Sequence, residues 1–152
     1  MKACKTILFA TLLVVASLAA PGVARAEVSC HNVNAKAVGQ DLGGGQTTAE
    51  IIGGGLLHGT TQAAFLITGL SGTVASFEGT IVFTVNNATL TANVSGTLDL
   101  ATGEFQATTS SISGTGKLAG ATGELSFNGV EDLSTGSFTE DVTGDICADL
   151  SP

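Results

Sequence analysis

Glu140 is the acidic residue whose position in the sequence most suggests chemistry. Phe138, Val142 and Ile146 recur at even spacing, which predicts a strand with one apolar face, and Glu140 falls on that face. A carboxyl group among apolar neighbours has a raised pKa, which suits a general acid or an anchor for a polar group of a ligand. Two alternatives stay open: a bulge at Glu140-Asp141 turns the carboxylate into water, or the apolar face is the outer one.

The stretch Ser113–Glu124 contains Gly-Thr-Gly-Lys, which superficially resembles a phosphate-binding loop. A P-loop requires a glycine five positions before the Gly-Lys pair and a Ser or Thr after the lysine, and these positions hold Ser111 and Leu118. The glycine spacing also fits a dinucleotide fingerprint, but that motif opens a helix, whereas Leu125-Ser126-Phe127 alternates as a strand does. We therefore predict a tight turn between two strands.

Candidates for nucleophilic or metal chemistry are few. The chain has no Gly-x-Ser-x-Gly motif, and its histidines are His31, beside a cysteine, and His58, which alternation places away from the Phe65 face. The acidic pairs at 131–132 and 140–141 lack the spacing of a calcium loop. We predict no catalytic residue, no metal and no cofactor.

The glycine-punctuated run 114–123, followed by alternating apolar residues, resembles the glycine turn of the allene oxide cyclase and dirigent barrel superfamily. The resemblance implies an eight-stranded antiparallel barrel around an apolar cavity. It also implies a cyclase-like or isomerase-like activity as one possible function. The catalytic set of the plant cyclase has no matching positions in this chain, so no catalytic role is carried over.

Alternating patterns separated by glycine-rich or Asn-Asn turns run through the chain from Val33 to Cys147 and predict eight to nine strands. We expect an all-β protein, a closed eight-stranded antiparallel β-barrel, with a repeated Asp-Leu-x-Thr-Gly-x-Phe hairpin turn at 99–105 and 132–138. The segment 56–68 is long for one strand, and Gly59 marks a bulge or a bend in it. The residues expected to line the lumen and contact a ligand are Glu140, Phe65, Phe83, Phe105, Phe127 and Phe138.

The first 26 residues have the pattern of an export signal. Lys2 and Lys5 precede an apolar run at 7–20, which is too short for a comfortable membrane span, and Ala24-Arg25-Ala26 is a typical cleavage site. Cleavage leaves one domain, residues 27–152, which we expect to be secreted or periplasmic and to have no membrane span.

Two cysteines remain after cleavage, Cys30 and Cys147, one near each end of the domain. A cysteine pair in an exported chain predicts a disulfide, which requires the first and last strands to be neighbours. A free-thiol nucleophile and a metal pair are the alternatives.

Composition excludes several partners. The domain keeps two lysines against thirteen acidic residues, a net charge of −11, which repels nucleic acid and anionic membranes. The absence of Trp and Tyr argues against a glycan-binding face. Three functions compete: a non-enzymatic barrel that binds a small apolar molecule, a structural or assembly protein of the cell exterior with a solid core, and a cyclase-like or isomerase-like enzyme.

Overall fold

The computed structural model describes residues 28–150, within which eight antiparallel strands form a closed barrel. Each strand pairs with its neighbours in chain order, so the predicted fold class is confirmed. The predicted signal segment lies outside the described residues. The strands are β1 (Ser29–Gly43), β2 (Gln46–Gly53), β3 (Gly59–Ser71), β4 (Val74–Val85), β5 (Ala88–Asp99), β6 (Glu104–Gly114), β7 (Thr122–Asp132) and β8 (Ser137–Ala148).

The barrel closes between β1 and β8, which pair along twelve residues each from Ser29↔Ala148 to Gln40↔Ser137. Cys30 lies directly opposite Cys147, and the two form a disulfide. Since closure removes both sheet edges, no backbone ladder is left open at the seam. The predicted pairing of the cysteines and the adjacency of the first and last strands are both confirmed.

One end of the barrel is solidly packed. Two short 3₁₀ turns, Gly55–Leu57 after β2 and Gly116–Leu118 after β6, cover this end, and Leu57 and Leu118 are completely buried in it. They pack with inward-facing residues of the strands, including Phe83 and Leu90, in one apolar cluster. We call this half of the barrel the sealed end.

The segment 56–68 is not one strand. The chain makes a 3₁₀ turn at Gly55–Leu57, and β3 begins at Gly59, so the bulge considered at this glycine is absent. A β-carbon at Gly59 would collide with the carbonyl oxygen of Thr84, so the glycine allows the close approach of two backbones at the start of the strand. The register shift of this strand lies further along, between Ile67 and Gly69.

The opposite end, which we call the mouth, carries the four hairpins that join β1–β2, β3–β4, β5–β6 and β7–β8. The repeated turn is confirmed there: in Asp99–Phe105 and Asp132–Phe138, the aspartate side chain accepts a hydrogen bond from the amide two residues later, at 2.9 Å. In each turn the aspartate carbonyl also accepts one, at 2.7 Å, from the amide of a glycine with positive φ, Gly103 or Gly136. These hydrogen bonds hold each hairpin in a tight turn, and the leucine of each turn, Leu100 or Leu133, is exposed to solvent.

Residues 28–150 contain no helix whose length and apolar character would let it cross a membrane.

Candidate ligand cavity at the barrel mouth

The lumen is filled at the sealed end and hollow toward the mouth. A cavity of about 300 Å³ lies between the inner faces of the strands. Its floor includes Phe127, which stacks on Phe83 with ring centroids 6.4 Å apart. A cavity of this volume falls at the lower limit of typical small-molecule sites.

Most of the predicted ligand-contacting residues meet at this cavity. Phe65, Phe105, Phe127, Phe138 and Glu140 all line it. Phe83 does not, because it lies beneath the floor, completely buried in the packed half. Period-two alternation identifies the inward face of a strand but not the height of a residue along the barrel axis, which explains this difference.

Four of the lumen phenylalanines lie directly opposite a glycine on the next strand. The pairs are Phe65–Gly79, Phe77–Gly96, Phe105–Gly129 and Phe138–Gly39. A β-carbon at Gly129 would lie 2.5 Å from Cζ of Phe105, so the ring occupies the space of the missing side chain. The rings therefore lie along the barrel wall, over the neighbouring strand, and the cavity between them stays open.

The rings also contact one another in two groups. Phe65 and Phe77 make an edge-to-face contact at 5.3 Å, and Phe105 and Phe138 make another at 6.1 Å. These contacts fix the ring orientations and give the cavity preorganised apolar walls. Phe77 was not among the residues expected at the site, although it alternates in register with Phe83 on the same strand.

Glu140 faces the cavity. β8 pairs with β1 and with β7 without a register shift at this position, which excludes the bulge that would have turned the carboxylate outward. Its cross-strand neighbours are Ala37 and Gly129, neither of which offers a polar side chain. Burial raises the pKa of Glu140 from its ordinary 4.5 to about 7.

Two further acids line the cavity that sequence reasoning did not assign to it. Asp41 and Glu131 occupy inward positions of β1 and β7, nearer the mouth than Glu140. The pKa of Glu131 is raised by partial burial, by the negative charge of Asp41 and by a hydrogen bond between the two side chains. The sequence does contain a signal for Glu131, since it alternates with Leu125 and Phe127 on one face of the strand.

Positive charge is kept away from the cavity. Lys36 lies on the outer face and contacts Asp141 at 2.6 Å, and Lys117 is exposed beyond the sealed end. No lysine, arginine or histidine of residues 28–150 lines the cavity. The same part of the chain contains no group of three His, Cys, Asp or Glu side chains placed to hold a metal ion.

The glycine-rich stretch has a structural role at the sealed end. The Thr115 hydroxyl accepts a hydrogen bond from the amide of Thr89 at 3.1 Å, and the following 3₁₀ turn inserts Leu118 into the core. An alternating strand, β7, follows it, as the sequence predicted. No family model, curated protein or solved structure matches this chain.

A wider depression, of about 720 Å³, lies mainly on the outer surface of the barrel. Exposed polar side chains such as Lys36, Gln106 and Asn128 line much of it, so a ligand there would remain largely hydrated. The mouth cavity, with its aromatic walls, is the stronger candidate for a binding site.

Proposed function

We propose that this protein is exported and binds a small, mainly apolar molecule in the mouth cavity without changing it chemically. The observation that carries the proposal is the contrast within one lumen: one half is filled by side chains, and the other is hollow with aromatic walls. Filling the second half would have required only larger residues at positions such as Ala63 and Ala107.

Export is part of the proposal. It is supported by the signal-like pattern of the first 26 residues and by the Cys30–Cys147 disulfide, because such bonds persist mainly outside the reducing cytosol. Kinship with the allene oxide cyclase and dirigent barrels is likewise proposed. The eight-stranded closed barrel and the glycine turn before β7 support it.

The first test is native mass spectrometry of the mature protein purified from its own source, followed by calorimetric titration with 1-octanol as a neutral apolar probe. We expect a bound small mass, or saturable binding of octanol at one site. A bare protein that fails to bind octanol would favour the structural alternative, in which the barrel serves only as a scaffold.

A matched pair of variants locates the site. Ala63 lines the cavity, whereas its neighbour Ala64 is exposed on the outer face of the same strand. Ala63→Leu should abolish octanol binding by filling the cavity, and Ala64→Leu should leave it unchanged. Equal effects of the two substitutions would place the binding site elsewhere.

An enzyme that uses Glu140 for proton transfer is the second candidate. A carboxyl group with a pKa of about 7 in an apolar cavity can donate or accept a proton near neutral pH. Chromatography and NMR spectra of the natural ligand before and after prolonged incubation with the protein, which also detect an isomer of equal mass, separate the two functions. An unchanged ligand supports a binding protein, and conversion that Glu140→Gln abolishes would support an enzyme.

A further inference from the structure

The walls of the mouth cavity differ in chemistry. Its acidic residues Asp41, Glu131 and Glu140 belong to three consecutive strands of the barrel, β1, β7 and β8. The strands on the far side of the ring, β3 to β5, contribute only apolar side chains and Thr61. The apolar members are Ala63, Phe65, Ile67, Phe77, Ile81 and Leu98.

The acids follow the path from the mouth inward. Along β1, Asp41 lies four residues nearer the mouth than Ala37, which pairs with Glu140. Glu131 pairs with Phe138, two residues nearer the mouth than Glu140. A molecule that enters the cavity therefore passes two carboxylates before it meets the third.

These carboxylates have no basic partner in the described protein. Lys36 and Lys117 lie elsewhere, and no cationic side chain of residues 28–150 reaches the cavity. A carboxylate held in an apolar cavity is stabilised when an opposite charge is brought next to it, and charge-assisted hydrogen bonds to it are shorter and stronger than neutral ones. An anionic head group would instead be repelled by all three acids.

We propose that the ligand is a cationic amphiphile, a short apolar body that carries one protonated amine. The apolar body lies against the apolar residues of β3 to β5, and the ammonium group pairs with the carboxylate of Glu140 on β8. Asp41 and Glu131 lie nearer the mouth and add negative charge along the way in. This inference rests on the proposed function and specifies the class of ligand for the same cavity.

The experiment compares three probes that share one alkyl chain: octylammonium, 1-octanol and octanoate, titrated by calorimetry into the mature, disulfide-intact protein at pH 8. We expect octylammonium to bind most tightly, octanol more weakly and octanoate most weakly. Binding of octanol tests the proposed function, and the order of affinity among the three head groups tests the inference about the ligand class.

Glu140→Gln should weaken octylammonium binding about 10- to 100-fold, the loss expected for a hydrogen bond to a charged group, and leave octanol binding nearly unchanged. Asp41→Asn is the second variant, should the first destabilise the fold. Glu78→Gln, an exposed position on the outer face, is the matched control and should have no effect.

The affinity for octylammonium should also rise between pH 5.5 and 8, as Glu140 ionises. The other titratable groups that face this cavity are Asp41 from β1 and Glu131 from β7, and ionisation of Glu131 acts in the same direction. Octanol should show no such increase.

The outcomes separate the two claims. If octanol binds but octylammonium binds no better, or octanoate binds equally well, the cationic class is wrong and the proposed function stands. If none of the three probes binds, the cationic class is wrong, and the proposed function is contradicted as well when the purified protein also carries no bound small mass.

Discussion

The ionisation of Glu140 should make the barrel less stable as pH rises. Its pKa is about 7 in the folded protein and 4.5 ordinarily, so between these values the unfolded chain has released a proton that the folded chain still holds. The stabilisation from the raised pKa is complete below pH 4.5 and is lost as pH rises through 7. At about 1.4 kcal/mol per pKa unit, the full loss is about 3 kcal/mol.

Glu140→Gln removes this effect because the amide does not titrate. Relative to the unsubstituted protein, the variant should gain about 3 kcal/mol of unfolding free energy between pH 4 and pH 8. Urea denaturation at both pH values, followed by circular dichroism because the chain has no Trp or Tyr, measures this difference. Glu78→Gln is the control, and its difference from the unsubstituted protein should not change with pH.

The reasoning is refuted if the two proteins keep a constant difference in unfolding free energy from pH 4 to pH 8. That result would mean that Glu140 is well hydrated in the folded protein. The cavity would then contain more water than its aromatic walls imply, and a hydrated carboxylate would gain little from pairing with a ligand.

Three further predictions concern the frame of the barrel. Cys147→Ser should lower the unfolding free energy by at most about 4–5 kcal/mol, because the disulfide closes a loop with a sequence separation of 117. Reduction of the disulfide in the unsubstituted protein should lower the melting temperature by the same amount as the substitution does. Gly79→Ala should cost about 1–3 kcal/mol in urea denaturation, because a β-carbon there would collide with the Phe65 ring and with the carbonyl oxygen of Ala64. Gly69→Ala, which has room for a β-carbon, should cost under about 0.5 kcal/mol, and equal costs would contradict the close packing at Gly79. Leu118→Ala should lower the unfolding free energy by about 2–5 kcal/mol, because Leu118 is completely buried, whereas Leu66→Ala at an exposed position should change it little. A small loss of unfolding free energy for Leu118→Ala in the same assay would show that the turn does not seal the barrel.

Local chemistry explains why so much of the fold was predictable from the sequence. Alternation shows which face of each strand is apolar, and the repeated Asp-Leu-x-Thr-Gly-x-Phe segments contain the groups that form their own turn hydrogen bonds. Both features can therefore be predicted without knowing which strands pair. The pairing of Cys30 with Cys147 was predictable because they are the two cysteines that remain once the first 26 residues are assigned to an export signal, and the bond requires β1 and β8 to meet. The spacing of its neighbours placed Glu140 on the apolar face of β8, and the unbroken register with β1 and β7 then showed that this position faces the lumen.

What only the tertiary structure decided is the height of each residue along the barrel and its partner across the strands. Because staggered strands bring together residues far apart in the chain, spacing could not show that Phe83 lies below the floor while Asp41 and Glu131 join Glu140 at the cavity. The same holds for the glycine opposite each of four phenylalanines. The hollow half of the lumen exists because those rings rest over glycines on neighbouring strands, and that arrangement depends on register, which arises only when the sheet closes.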